Sequence, residues 1–181
     1  MTQDDLTPSL VQSLRAGDGG AGELLDRLYR EALVRFAWGY VQDAQEAEDV
    51  AQEVFCKVME SDLVPDYFRA WVYRIARNLC LNRLRSRGRK RDRERLATGM
   101  DVARATAGAL THLVDEERRA RLAQQLARLG DDEREILRLR YAEDLSRAEM
   151  AEVLELDESV VKSRLYEAVK VLRRASLNDQ A

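Results

Sequence analysis

Lys162, Ser163, Arg164, Tyr166, Glu167 and Lys170 put three cations, two hydroxyls and one carboxylate into nine residues. Ammonium and guanidinium groups bind phosphates, and the same side-chain types reach base edges in a groove. The chemistry such a set supports is recognition of a polyanion. Glu167 is the discordant member, because a carboxylate opposes a phosphate. Two uses remain open for it. It can orient Arg164 and Lys170, three residues away on either side, an exposed arrangement worth about 0.2–0.5 kcal/mol. It can also accept a hydrogen bond from cytosine N4.

The elements that position these groups follow from the apolar spacing around them. Val161, Leu165, Ala168 and Leu172 recur at 4-3-4 and form one stripe of a helix, leaving the polar set outward. Upstream, Asp131–Arg140 carries Ile136 and Leu139, and Ser146-x-x-Glu149 is a capping box opening the helix SRAEMAEVL. The interruption ELDES then separates that helix from the next. Helix, tight turn and helix with a polar outer face is the helix-turn-helix arrangement, whose second helix enters the major groove. On pattern alone an ordinary αα-hairpin with a solvated face stays open.

Elsewhere the periodicity is also helical, with only two prolines, Pro8 and Pro65. One helix is expected over Ala21–Val41, with Leu24, Leu25, Leu28, Ala32 and Phe36 apolar. A second is capped by Asp43 with Glu46 and carries Val50, Val54, Phe55 and Val58. SDLVPD breaks the pattern, since the residue before proline avoids helical geometry. Tyr67 to about Arg87 is a third helix, with Trp71, Ile75, Leu79 and Leu84 expected inward. From Gly88 to Ala109 the pattern weakens, and Asp115–Leu129 is helical again. The fold class is all-α: two small helical domains, 8–90 and 115–175, joined by a basic flexible linker over 91–114.

Composition narrows the function classes. Apolar residues at 45% and charged residues at 35% describe a soluble globular chain, and no apolar run nears bilayer length. MTQDDLTPSL has neither the basic start nor the apolar core of a signal peptide, so a cytoplasmic protein without membrane insertion is expected. Cys56 and Cys80 read as small packing residues in a reducing compartment, and His112 is the sole histidine. A Cys/His metal site is thereby excluded. No glycine-rich phosphate loop is present either. No enzymatic activity, cofactor, metal or small-molecule substrate is expected.

The net charge of −3 conceals segregation. Asp43–Asp66 holds eight acidic residues against Lys57 alone, and Arg74–Arg93 holds nine basic residues against Asp92 alone. Two partners of different electrostatic character, rather than one, fit that division.

At these residues a family emerges. YAEDLSRAEMAEVLELDESVVKSRLYEAVKVLR resembles the region 4 helix-turn-helix of bacterial RNA polymerase sigma factors of the extracytoplasmic-function group. EAEDVAQEVFCKV resembles their region 2 polymerase-binding helix, and YFRAWVYRIARNLCLNRLR their minus-ten helix. The resemblance spans about four-fifths of the chain and implies core RNA polymerase and promoter DNA as partners. Carried over residue by residue, it implies docking by Asp49, Gln52, Glu53 and Phe55. It implies minus-ten contacts by Arg74, Arg77, Asn78, Asn82 and Arg85, and minus-thirty-five contacts by Lys162, Ser163, Arg164, Tyr166, Glu167 and Lys170. The loop Ser61–Asp66 matches the family's capture loop for an extruded base. An anti-sigma partner is implied as well, and no regulatory domain is expected in the short tail after Arg174.

Several positions depart from the family. Its turn glycine is Glu155 here, and the positions before its recognition helix are Asp157, Ser159 and Val160. Asp131–Arg174 holds twelve acidic residues against nine basic ones, so binding of free DNA by this segment should be weak. Tethering to polymerase would supply the missing local concentration. Two competing readings are a stand-alone regulator using the same helix-turn-helix and an enzyme acting on nucleic acid. The acidic docking helix argues against the first, and the absent phosphate loop and metal-ligand cluster argue against the second.

Overall fold

The computed structural model describes residues 3–62, 64–91 and 116–178, and every element among them is an α-helix. In chain order they are α1 (Gln3–Ala16), α2 (Ala21–Val41), α3 (Ala44–Met59) and α4 (Phe68–Arg91). Then come α5 (Glu116–Ala127), α6 (Asp131–Tyr141), α7 (Arg147–Leu154) and α8 (Glu158–Asn178). They fall into two compact units, Met1–Arg89 and Lys90–Ala181. The linker expected over 91–114 lies, beyond Arg91, outside the described residues, as does His112.

In the first unit α2 packs along α3 and α1 packs on α2. The core is aromatic. Tyr29 meets Phe68 edge-on at 5.9 Å, and Phe36 meets Tyr73 at 5.2 Å, joining α2 to α4. The buried Tyr29 hydroxyl finds its partner in Thr7 Oγ1 at 3.0 Å on α1. α1 itself was not expected. Leu10 is its fully buried apolar residue among the described side chains, and Pro8 lies inside it, so the apolar periodicity was too thin to announce it.

Local signals set the helix ends. Asp43 Oδ1 accepts from the Glu46 amide at 2.9 Å, the expected cap of α3. Ser146 Oγ accepts from the Glu149 amide at 3.2 Å while Glu149 Oε2 accepts from the Ser146 amide at 2.8 Å, a complete capping box on α7. α4 runs through Gly88 to Arg91, past the expected end near Arg87.

Two apolar stripes differ from expectation. On α2 the deepest side chains are Leu25, Tyr29, Leu33 and Phe36, while Leu24, Leu28 and Ala32 are half-buried. On α4 the buried residues among the described side chains are Phe68, Ala70, Val72, Tyr73, Ala76 and Cys80, and Trp71, Ile75, Leu79 and Leu84 are half-buried. Both helices carry adjacent apolar stripes, and the one with smaller residues in α4 (Ala76, Cys80) allows the closer approach. Cys56 is exposed on α3, so only Cys80 packs as expected.

In the second unit α8 is the hub, packing on α5, α6 and α7. The turn between α7 and α8 keeps its left-handed geometry without glycine: Glu155 sits at φ 56°, ψ 46°. A side chain there costs about 1 kcal/mol or more. Glu155→Gly, partly offset by its freer unfolded chain, is expected to stabilise this unit by about 0.5–1 kcal/mol. Thermal melting of the full chain checks this, and no rise would mean the strain is relieved elsewhere. Asp157 precedes α8, and its carbonyl takes the amides of Val160 at 3.0 Å and Val161 at 3.1 Å.

Candidate functional site

On α3, Asp49 and Gln52 are exposed and Glu53 and Phe55 half-exposed. Asp49 Oδ1 accepts from Gln45 Nε2 at 3.1 Å. Glu53 meets Arg83 of α4 at 3.3 Å and Lys57 at 4.0 Å. Phe55 is covered on one side by Arg30 of α2, whose guanidinium lies 5.6 Å from the ring centre. Arg30 donates to Asp26 Oδ1 at 2.7 Å and to Glu48 Oε2 at 2.9 Å. The Asp26 hydrogen bond above all raises the Arg30 pKa from an already high value. α3 thus presents acids beside an aromatic ring that a fixed cation orients.

On α4, Asn78, Asn82 and Arg85 are exposed, while Arg74 and Arg77 are half-buried. Arg85 Nη1 donates to Asn82 Oδ1 at 3.2 Å, which joins these two groups. The loop before α4 ends in Asp66 and Tyr67, the latter 57% exposed and therefore available to a partner, whereas Phe68 is core. Residue 63 of this loop lies outside the described residues. Arg15 of α1 reaches the loop, donating to the Val64 carbonyl at 3.1 Å and to Asp66 Oδ1 at 3.3 Å.

On α8, Val161 and Ala168 are buried, and Lys162, Ser163, Arg164, Tyr166 and Glu167 are exposed with Lys170 half-exposed. Lys170 Nζ donates to Glu167 Oε1 at 3.2 Å and Oε2 at 3.1 Å and lies 5.7 Å from the Tyr166 ring centre. Arg164 does not join them as expected. It turns to Asp132 Oδ2 at 3.4 Å, because α6 packs against α8 and its acidic first turn is within reach.

Sequence reading missed the arginines that bind carboxylates and carbonyls inside each unit: Arg30, Arg83, Arg87 and Arg134. Part of the basic excess of α4 is therefore spent within the first unit. The signal was legible for Arg83 and Arg87, which continue the stripe of Ala76 and Cys80 at helical spacing.

Comparison with known proteins matches residues 25–90 to Sigma-70 region 2 and residues 119–172 to Sigma-70, region 4. An RNA polymerase sigma-H factor of Pseudomonas aeruginosa is 30% identical over 97% of this chain and 96% of its own. The ECF RNA polymerase sigma factor SigW of Bacillus subtilis is 26% identical over 91% and 93%. The solved structure of CnrH in complex with the cytosolic domain of CnrY superposes with a TM-score of 0.64 at 26% identity, covering 95% of this chain and 97% of that one. Two helical units carrying these two regions in this order define a promoter-specificity subunit of RNA polymerase. The chain belongs to the extracytoplasmic-function (group 4) sigma factors of the sigma-70 family. It binds core RNA polymerase and recognises promoters, and it is not an enzyme. Among the described residues no helix is long and apolar enough to cross a membrane.

Proposed function

We propose that the chain divides promoter initiation among three helices. α3 docks on core polymerase through Asp49, Gln52, Glu53 and Phe55. α4 holds the separated minus-ten strand, with Arg74, Arg77 and Arg85 on phosphates and Asn78 and Asn82 on base edges. The loop Ser61–Asp66 takes an extruded base. α8 reads the minus-thirty-five element through Lys162, Ser163, Arg164, Tyr166, Glu167 and Lys170. The domains that carry these roles are 8–90 and 115–175, joined by the linker 91–114.

The observation that carries this reading is the opposition of faces on α4: Asn78, Asn82 and Arg85 are exposed, while Ala76 and Cys80 on the other side are buried. A protein partner that silences the factor is part of the reading, supported by the likeness to CnrH, which was solved bound to the cytosolic domain of CnrY.

Run-off transcription tests the whole assignment. Core polymerase with the chain should initiate at a set of genomic promoters that core alone ignores. Initiation no better than core alone would sink it, and transcription starts mapped after induced expression would supply both elements at once.

A further inference from the structure

α4 also carries polar groups on its inward face. Ala76 and Cys80 are fully buried, and the stripe they define continues into Arg83 and Arg87. Arg83 donates from Nη1 to the Glu46 carbonyl at 3.0 Å and from Nη2 to Glu53 Oε2 at 3.3 Å. Arg87 donates from Nη1 to the Val41 carbonyl at 2.7 Å and pairs through Nη2 with the Glu46 carboxylate. Their side chains are only 26% and 29% exposed, so these cations face α2 and α3 rather than a nucleic acid. Val41 ends α2, whose last turn has no basic residue, so Arg87 brings a cation to the negative end of that helix.

The consequence is rotational. Apolar side chains let a helix roll about its axis at small cost, whereas a planar guanidinium holding two acceptors fixes its orientation. A roll of about 20° at a side-chain radius of about 6 Å moves an outward group by about 2 Å, more than a hydrogen bond tolerates. We propose that Arg83 and Arg87 are positioning residues for promoter opening. They lock the roll of α4 on α2 and α3, so that Asn78, Asn82 and Arg85 meet the separated strand while α3 stays on polymerase. This rests on the assignment of α3 and α4 under Proposed function.

The test uses holoenzyme made from the full chain and core polymerase. The DNA is a promoter fragment taken from mapped transcription starts, with 2-aminopurine in the minus-ten element to report opening. The double variant Arg83→Ala, Arg87→Ala is expected to keep core affinity within about threefold. Its open-complex signal should fall by about tenfold or more. Arg83→Lys should recover part of the signal, because an ammonium reaches Glu53 but cannot fork onto the Glu46 carbonyl.

The control variant Asn78→Ala, Asn82→Ala reports on the underlying assignment. If it loses opening while the double arginine variant keeps it, the positioning role is overturned. Normal opening by the control would overturn the assignment of α4 and the proposal with it. A parallel loss of core affinity and opening in the arginine variant would reduce both residues to scaffold. Should that variant unfold at assay temperature, Arg83→Lys and Arg87→Lys are read in the same way, and each must lose more opening than core affinity for the proposal to stand.

Discussion

Arg134→Ala is expected to destabilise the second unit by about 3 kcal/mol. Arg134 is 7% exposed, on α6, and reaches back across the α5–α6 turn. Its Nη1 donates to the Leu129 carbonyl at 2.8 Å and the Leu126 carbonyl at 3.3 Å, and its Nη2 pairs with Asp131. Leu126 and Leu129 are themselves buried, so their carbonyls lie where water substitutes poorly. Alanine removes the donors and leaves a cavity as well. The midpoint of thermal unfolding should drop by roughly 15 °C, followed by the helical signal of the full chain. Arg134→Met refills the volume without the donors and should recover only part of the loss. A drop under about 1 kcal/mol for alanine would mean that water serves those carbonyls after all. Because α5 and α6 both pack on α8, use of the minus-thirty-five element should fail before polymerase docking does.

Arg134 also shows where sequence reading stops. A helix with Ile136 and Leu139 inward was legible, because apolar period and the acidic first turn are local properties. Which arginine turns inward is decided by carbonyls five and eight residues upstream, meeting only once the turn is folded. The same division holds throughout. Asp43 and Ser146 announced their caps because capping needs neighbours three residues away. Glu155 at a glycine position marked a left-handed residue, and the backbone kept φ at 56°. In contrast, the choice between two neighbouring apolar stripes on α4 depends on what α2 offers, here Tyr29 and Phe36. Most of the candidate docking and promoter residues were readable as polar faces and are exposed, while Arg74 and Arg77 are half-buried. Their internal partners come from other helices: Arg30 on Phe55 carried no local signal, and Arg83 on Glu53 was marked only by its place on the stripe of Ala76 and Cys80.

Substituting Glu167 is expected to change the base chosen at one position of the minus-thirty-five element, and to do so by type. Both carboxylate oxygens are held by Lys170 at 3.1–3.2 Å, yet Glu167 is 54% exposed. An exposed pair of this kind is worth about 0–1 kcal/mol, so a groove can take the carboxylate at little cost. Lys170, which lies over Tyr166, would then be released to meet a phosphate. A carboxylate accepts from cytosine N4, a glutamine amide matches adenine N6 and N7, and a guanidinium matches guanine O6 and N7. Selection from a randomised minus-thirty-five library should therefore move from C in the wild type to A in Glu167→Gln and G in Glu167→Arg. Each switch should amount to about 5–150-fold, the equivalent of about 1–3 kcal/mol per base contact. Arg164, drawn aside to Asp132, is the built-in comparison: Asp132→Ala frees its guanidinium and should strengthen binding evenly across the library without altering the preferred base. If all three Glu167 proteins select the same base, the carboxylate serves only to hold Lys170, and promoter choice lies with Lys162, Ser163 and Tyr166.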